Sequence, residues 1–182
     1  MLYIQQSLGP DEELIAVGNF HWMYTVKAML SIFWGILGSV IVIAGSVFMY
    51  QRLGTYPEDL EWLWAVRNLH AGLRAASFIV FLLGLLNFAQ MMVTRATTEI
   101  AITNKRLVYK RGLVARYVGE MSIDRIEGVN VLQSFFGRIF DYGRLMVRGM
   151  GVGEVILPII QNPVGFRKAI EEAKAHDDKE RI

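Results

Sequence analysis

A chain of 182 residues that is 53% hydrophobic, with a mean hydropathy of +0.34, is too apolar on average for an ordinary water-soluble domain. It contains no cysteine, which excludes disulfides, thiol catalysis and thiolate metal sites and fits a reducing compartment. The net charge of +2 is concentrated late, with 15 Lys and Arg against 11 Asp and Glu from Thr94 onward, an excess too mild for a duplex nucleic-acid binder.

Residues 1–27 lack the basic start of a signal peptide and carry Asp11, Glu12 and Glu13 ahead of any apolar core, so this segment is expected to stay attached. Behind the Gly9-Pro10 turn signal, Glu13 to Phe20 reads as a short strand. Ala28 to Tyr50 then runs 23 residues without a charge, about 34 Å as a helix against a hydrocarbon core of roughly 30 Å. Trp22, Tyr24 and Lys27 before it, and Tyr50, Gln51 and Arg52 after it, are the residue types of membrane interfaces. Ser31, Gly35 and Ser39 recur every four residues, with Gly38 and Gly45 a heptad apart, a small-residue face that lets another helix approach closely in lipid.

Residues 51–74 link this run to a second one. Thr55 to Asp59 resembles a helix start, and Trp62 and Trp64 suit a turn or two of helix lying in the headgroup layer. Ala75 to Val93 is the second run, 19 residues or about 28 Å. Its amides Asn87 and Gln90 share a helical face and call for a partner on a neighbouring helix; without an intramembrane acid or base they do not suggest a transport path. Arg95, Lys105, Arg106, Lys110 and Arg111 follow the second run closely, so both termini are expected on the cytoplasmic side of a two-helix hairpin.

From Thr97 the period changes to two. Ile100 and Ile102, then Leu107 and Tyr109, alternate about an Asn104-Lys105 turn, giving a β-hairpin. Arg111-Gly112-Leu113 is the next turn, Val114 to Met121 a strand, and Ile123 to Leu132 another, interrupted at Gly128. Ser134 caps a short helix whose Phe135, Phe136, Ile139 and Phe140 fit a lid over a barrel end. Leu145–Val147 and Val155–Ile160 form a hairpin across Gly149 to Gly153. Asn162-Pro163 opens a last helix with Phe166, Ala169, Ile170 and Ala173 on one side, and residues 176–182 read as a solvated tail.

These residues resemble the bacterial pleckstrin-homology-like membrane proteins. The resemblance lies in Ile102-Thr103-Asn104-Lys105-Arg106-Leu107 with Arg111-Gly112-Leu113, in Ile123-Asp124-Arg125-Ile126 with Val129, in Gln133-Ser134 and Tyr142-Gly143, and in Asn162-Pro163. It covers 97–175, and Asp141 departs from it where glycine is common. The resemblance implies an α+β membrane protein of the bacterial cytoplasmic membrane: a transmembrane hairpin plus two orthogonal antiparallel sheets forming a partly open barrel, capped by the C-terminal helix. Such a domain has seven strands; six are legible after Thr97, so Glu13 to Phe20 is expected to supply the missing edge.

No catalytic, cofactor or metal constellation is visible. His21, His70 and His176 are scattered, and the glycines from 149 to 153 lack the strand-to-helix context of a nucleotide loop. The expected role is therefore non-enzymatic: a bilayer-integral module that assembles with copies of itself or serves as an accessory subunit of a membrane complex. Helix packing is expected through Ser31, Gly35, Gly38, Ser39, Gly45, Asn87 and Gln90. The alternative is recognition of anionic lipid headgroups by Lys105, Arg106, Lys110, Arg111 and Arg116, at roughly 1 kcal/mol per basic side chain.

Overall fold

The computed structural model describes residues 2–57, 59, 61–112, 117–151 and 153–180. Arg116, the expected turn at Leu113 and strand start at Val114, Glu58 and Leu60 of the loop, Val152 of the glycine-rich turn and the last two residues of the tail lie outside them. In chain order come α1 (Leu2–Ser7), β1 (Leu14–Val17), α2 (Trp22–Arg52), α3 (Trp62–Asn68) and α4 (Ala71–Thr97). Then follow β2 (Glu99–Thr103), β3 (Arg106–Arg111), β4 (Tyr117–Ser122), a 3-10 turn (Ile123–Arg125) and β5 (Ile126–Leu132). The chain ends with α5 (Phe135–Ile139), β6 (Tyr142–Gly149), β7 (Gly153–Ile156), β8 (Ile160–Gln161) and α6 (Pro163–Glu180). These elements form two compact units, 1–24 with 93–182, and 25–92.

In the first unit, β1-β2-β3-β4 form one antiparallel sheet and β5-β6-β7 another, with β8 pairing β6. The period-two pattern aims Ile100 and Ile102, Leu107 and Tyr109, and Leu145 and Val147 into a common core, which Phe166, Ile170 and Ala173 of α6 cover. The opposite face of the first sheet is not left to solvent: Ala101 and Val108 are buried with Ile4 of α1. That helix has no counterpart among the expected elements, and burying Ile4 contributes on the order of 2 kcal/mol.

The N-terminal segment touches both sheets. Ala16 pairs with Ile102 and Val17 with Ala101, and Gly18 N–H donates to Ile100 O at 2.9 Å. Phe20 then forms an isolated bridge to Ile160 of β8, and Gln161 N–H donates to Asn19 O at 2.9 Å. Among the described residues no strand pairing closes the two sheets into a barrel.

Several local expectations change. Ile123–Arg125 is a 3-10 turn rather than strand: Ile123 and Ile126 are both buried, and a spacing of three puts them on one side of such a turn but on opposite faces of a strand. The interruption in β5 is a register shift between Ile126 and Gly128. The four apolar residues at α5 do not form a lid: Phe135, Phe136, Ile139 and Phe140 are exposed. Asp141 adopts φ 52°, a left-handed conformation that aspartate tolerates and that explains glycine as the common alternative there. α6 continues to Glu180 because nothing in 176–180 breaks a helix.

In the second unit α2 and α4 extend beyond the uncharged runs at both ends, since a helix does not stop where its side chains become polar. The loop helix starts at Trp62 instead of near Thr55. Both long helices are apolar enough and long enough to cross a membrane. They touch through small residues. A Cβ on Gly84 would stand 2.7 Å from Gly35 Cα and 2.8 Å from Ser31 O, and one on Gly38 would meet Val80 Cγ1 at 2.9 Å. Ser39 Oγ lies 2.8 Å from Ser77 Oγ, which also bonds Ser39 O at 3.1 Å.

Replacing Gly84 with leucine is expected to force these helices apart, at about 1–3 kcal/mol of overpacking. That corresponds to a thermal midpoint lower by several degrees, at roughly 2–4 °C per kcal/mol for a chain of this size. Gly45→Ala, at a position with nothing within 4 Å, is the control and leaves the midpoint of the purified full chain unchanged.

Candidate functional site

The β2–β3 turn is built around residues whose partners lie about ninety positions earlier. Thr103 is fully buried, and its hydroxyl accepts the Arg106 N–H at 3.0 Å while standing 2.8 Å from Glu12 Oε1. Asn104 Oδ1 accepts the Glu13 N–H at 3.0 Å and its amide donates to Asp11 O at 3.2 Å. Arg106 donates from Nε to Glu12 Oε1 and from Nη2 to Glu12 Oε2, both at 2.8 Å, and also reaches Ser7 O at 2.7 Å. A bidentate guanidinium–carboxylate pair of this kind fixes geometry as well as charge. Its other nitrogen, Nη1, holds Glu120 at 2.7 Å.

Burial pushes the Glu12 carboxyl up, but hydrogen bonds from Arg106, the Gly9 N–H and the Thr103 hydroxyl outweigh it and hold it below the usual carboxylate range. The bond to Glu12 in turn holds the Arg106 guanidinium more firmly charged. Further along the same strand, Lys110 pairs with Glu99 of β2 at 3.3 Å, and Glu99 also accepts the Ile4 N–H of α1 at 3.3 Å.

The five basic residues singled out from the sequence are thus divided. Arg106 and Lys110 face carboxylates of their own chain, Lys105 and Arg111 are exposed, and Arg116 lies outside the described residues. An open depression of about 590 Å³ beside the turn is lined by Lys105, Arg106 and Arg125 but equally by Glu12, Glu120 and Asp124. Such a balanced lining does not select an anion.

The helix-packing residues are divided as well. Ser31, Gly35, Gly38 and Ser39 meet Gly84, Val80 and Ser77 of the same chain, so this face is occupied within the hairpin. Gly45 is not at that contact and instead lines an apolar groove of about 530 Å³ with Ile41, Met49, Leu53 and Leu73. Asn87 and Gln90 are both exposed. Asn87 has no hydrogen-bond partner among the described residues, and it lines a groove of about 590 Å³ with Trp34, Leu83 and Met91. Ser77 and Gly84 escaped the sequence reading, although their heptad spacing in the second run mirrors the small stripe of the first.

No group of three or more potential metal ligands occurs among the described residues. His21 is buried, its Nδ1 accepting the Met23 N–H at 3.2 Å as a cap for the first turn of α2 and its ring 5.1 Å from that of Tyr142. The glycine-rich segment is the β6–β7 hairpin turn, where Gly151 and Gly153 take φ of 70° and 82°.

The family model described as bacterial PH domain matches residues 15–173, beginning inside β1 and ending inside α6. No curated protein and no solved structure matches the chain.

Arg106→Ala leaves Glu12 buried without its cation, and the expected cost is about 2 kcal/mol, toward the low side for a broken buried pair because Arg106 is itself partly exposed. Because the Glu12 pKa is depressed on folding, its contribution is complete at neutral pH and disappears as pH falls through that lowered pKa. Unfolding midpoints across an acid titration should show this limb in the native chain and a flatter one in Glu12→Gln.

Proposed function

The chain belongs to the bacterial PH domain family, and on that premise we propose that it is a non-enzymatic, membrane-anchored assembly module. α2 and α4 cross the cytoplasmic membrane as a hairpin, both termini are cytoplasmic, and the PH-like unit works at the inner face. Support for the anchor comes from exposure: the buried residues of α2 are Ala28, Gly35 and Val47, and that of α4 is Ser77, so the remaining apolar side chains need a non-aqueous solvent. Basic residues following α4 support the orientation.

Asn87 carries the assembly reading. Its amide is exposed on an apolar helix with no partner among the described residues, in an open groove of about 590 Å³. In hydrocarbon an unsatisfied amide is costly, and a polar group of another chain relieves that cost, by roughly 0.6–2 kcal/mol per bond. The occupant is a second copy of this chain or a subunit of a larger membrane complex. Headgroup recognition stands behind this reading, because Arg106 and Lys110 already face carboxylates.

Mass measurement of the chain purified in mild detergent is the decisive experiment. A discrete homo-oligomer, or a co-purifying membrane protein, is expected, and Asn87→Leu lowers its fraction; a lone monomer in detergent and after cross-linking in native membranes overturns the proposal. Orientation is checked separately in this cysteine-free chain. Thr55→Cys should react with an impermeant maleimide from outside the cell, and His176→Cys only after permeabilisation.

A further inference from the structure

The surface around α5 is apolar where a soluble domain would be polar. Phe135 is 74% exposed, Phe136 and Ile139 each 60%, and Phe140 43%. These side chains are not on a loose loop. Ser134 Oγ caps the helix by accepting the Gly137 N–H at 3.1 Å. Gln133 Nε2 bonds Gly137 O and Tyr142 O at 3.3 and 3.2 Å. Gly137 sits so close to β6 that a Cβ would stand 2.6 Å from Tyr142 O. The helix is pinned by its small, polar side, which leaves its four large apolar residues facing outward.

Continuity decides what covers them. Within the same unit, the ring of Phe140 meets that of Trp22 edge-on at 6.0 Å, and Trp22, itself 53% exposed, is the first residue of α2. Trp22 precedes the uncharged run at Ala28 by about 9 Å of helix, the depth of the headgroup layer. Arg138 on α5 and Arg144 on β6 are exposed beside the aromatic residues, the mixture of large apolar and basic side chains that partitions into an anionic bilayer surface.

We propose that α5 is a membrane-dipping wedge: Phe135, Phe136, Ile139 and Phe140 insert into the interfacial layer of the bilayer that α2 enters, with Trp22 and Arg138 completing the contact. This inference rests on the membrane-crossing reading of α2. The wedge ties the PH-like unit to the lipid surface at a second place besides its helical connections. It recognises the interface by apolar insertion rather than by a headgroup pocket.

The test uses the full chain in vesicles of phosphatidylethanolamine and phosphatidylglycerol carrying, in separate preparations, shallow or deep spin-labelled lipid. Single-cysteine variants bearing an environment-sensitive fluorophore report lipid contact: Phe136→Cys for the wedge, Phe33→Cys, exposed on α2, for the span, and Glu154→Cys, exposed on β7, for the aqueous surface. All three sites are exposed, so labelling does not disturb the core. The expected result is a blue shift and loss of emission at Phe136→Cys and quenching at Phe33→Cys by deeper spin labels, with Glu154→Cys unaffected. Quenching at Phe33→Cys without any at Phe136→Cys overturns the wedge and leaves the span intact. A blue-shifted but unquenched Phe136→Cys label assigns the patch to a second copy and likewise overturns it. Failure at both sites overturns the span together with the wedge.

Discussion

The guanidinium of Arg106 lies between two carboxylates, Glu12 and Glu120, that reach it from far apart in the chain. The rest of the domain depends on this meeting, because β1 is separated from its partner strand by the whole of α2, the loop and α4. A segment so distant along the chain closes a long loop and loses entropy in doing so. The pair with Glu12, the bonds of Thr103 and Asn104 to residues 11–13, and the burial of Ile4 over Ala101 and Val108 offset that loss. In this light the Thr103-Asn104-Lys105-Arg106 turn is chiefly a clasp, and the charge of Arg106 is met inside the chain.

The clasp also bears on the helices. The segment it holds leads directly to Phe20, His21 and Trp22, each set against β8 or the α5–β6 region: Phe20 on Ile160, His21 on Tyr142, Trp22 on Phe140. The first turn of α2 is therefore part of the β unit. The aromatic residues that would be counted as an interfacial belt on composition alone also pack against the domain, and they carry the exposed α5 surface with them.

Small residues show how one pattern can serve two ends. The stripe of Ser31, Gly35 and Ser39 signals close helix approach, and close approach is what occurs, but the approaching helix is α4 of the same chain. Gly84 and Ser77 supply the complementary surface. With much of that face occupied, the groove beside Asn87 is a feature left for another chain, while the apolar patch at α5 is left for the lipid surface.

Much of the architecture is readable locally. The uncharged runs, the change to period two after Thr97, the Asn104-Lys105 turn and the Asn162-Pro163 helix start all follow from neighbours a few residues apart, and the motifs around them identify the family. α1 was not legible, because six residues with one decisive contact, Ile4, carry no period of their own. The 3-10 turn at Ile123 was hidden because three residues are too few to show a period of their own against the strand that follows directly. What the sequence alone determined, then, is which segments are apolar helix and which are strand, since those depend on local periodicity and turn chemistry. Only the tertiary structure decided that Arg106 belongs to Glu12, that the small stripe faces inward, and that α5 presents its phenylalanines outward. Partner choice across tens of residues depends on which surfaces the folded chain brings within a few ångströms of each other, and no local pattern records that.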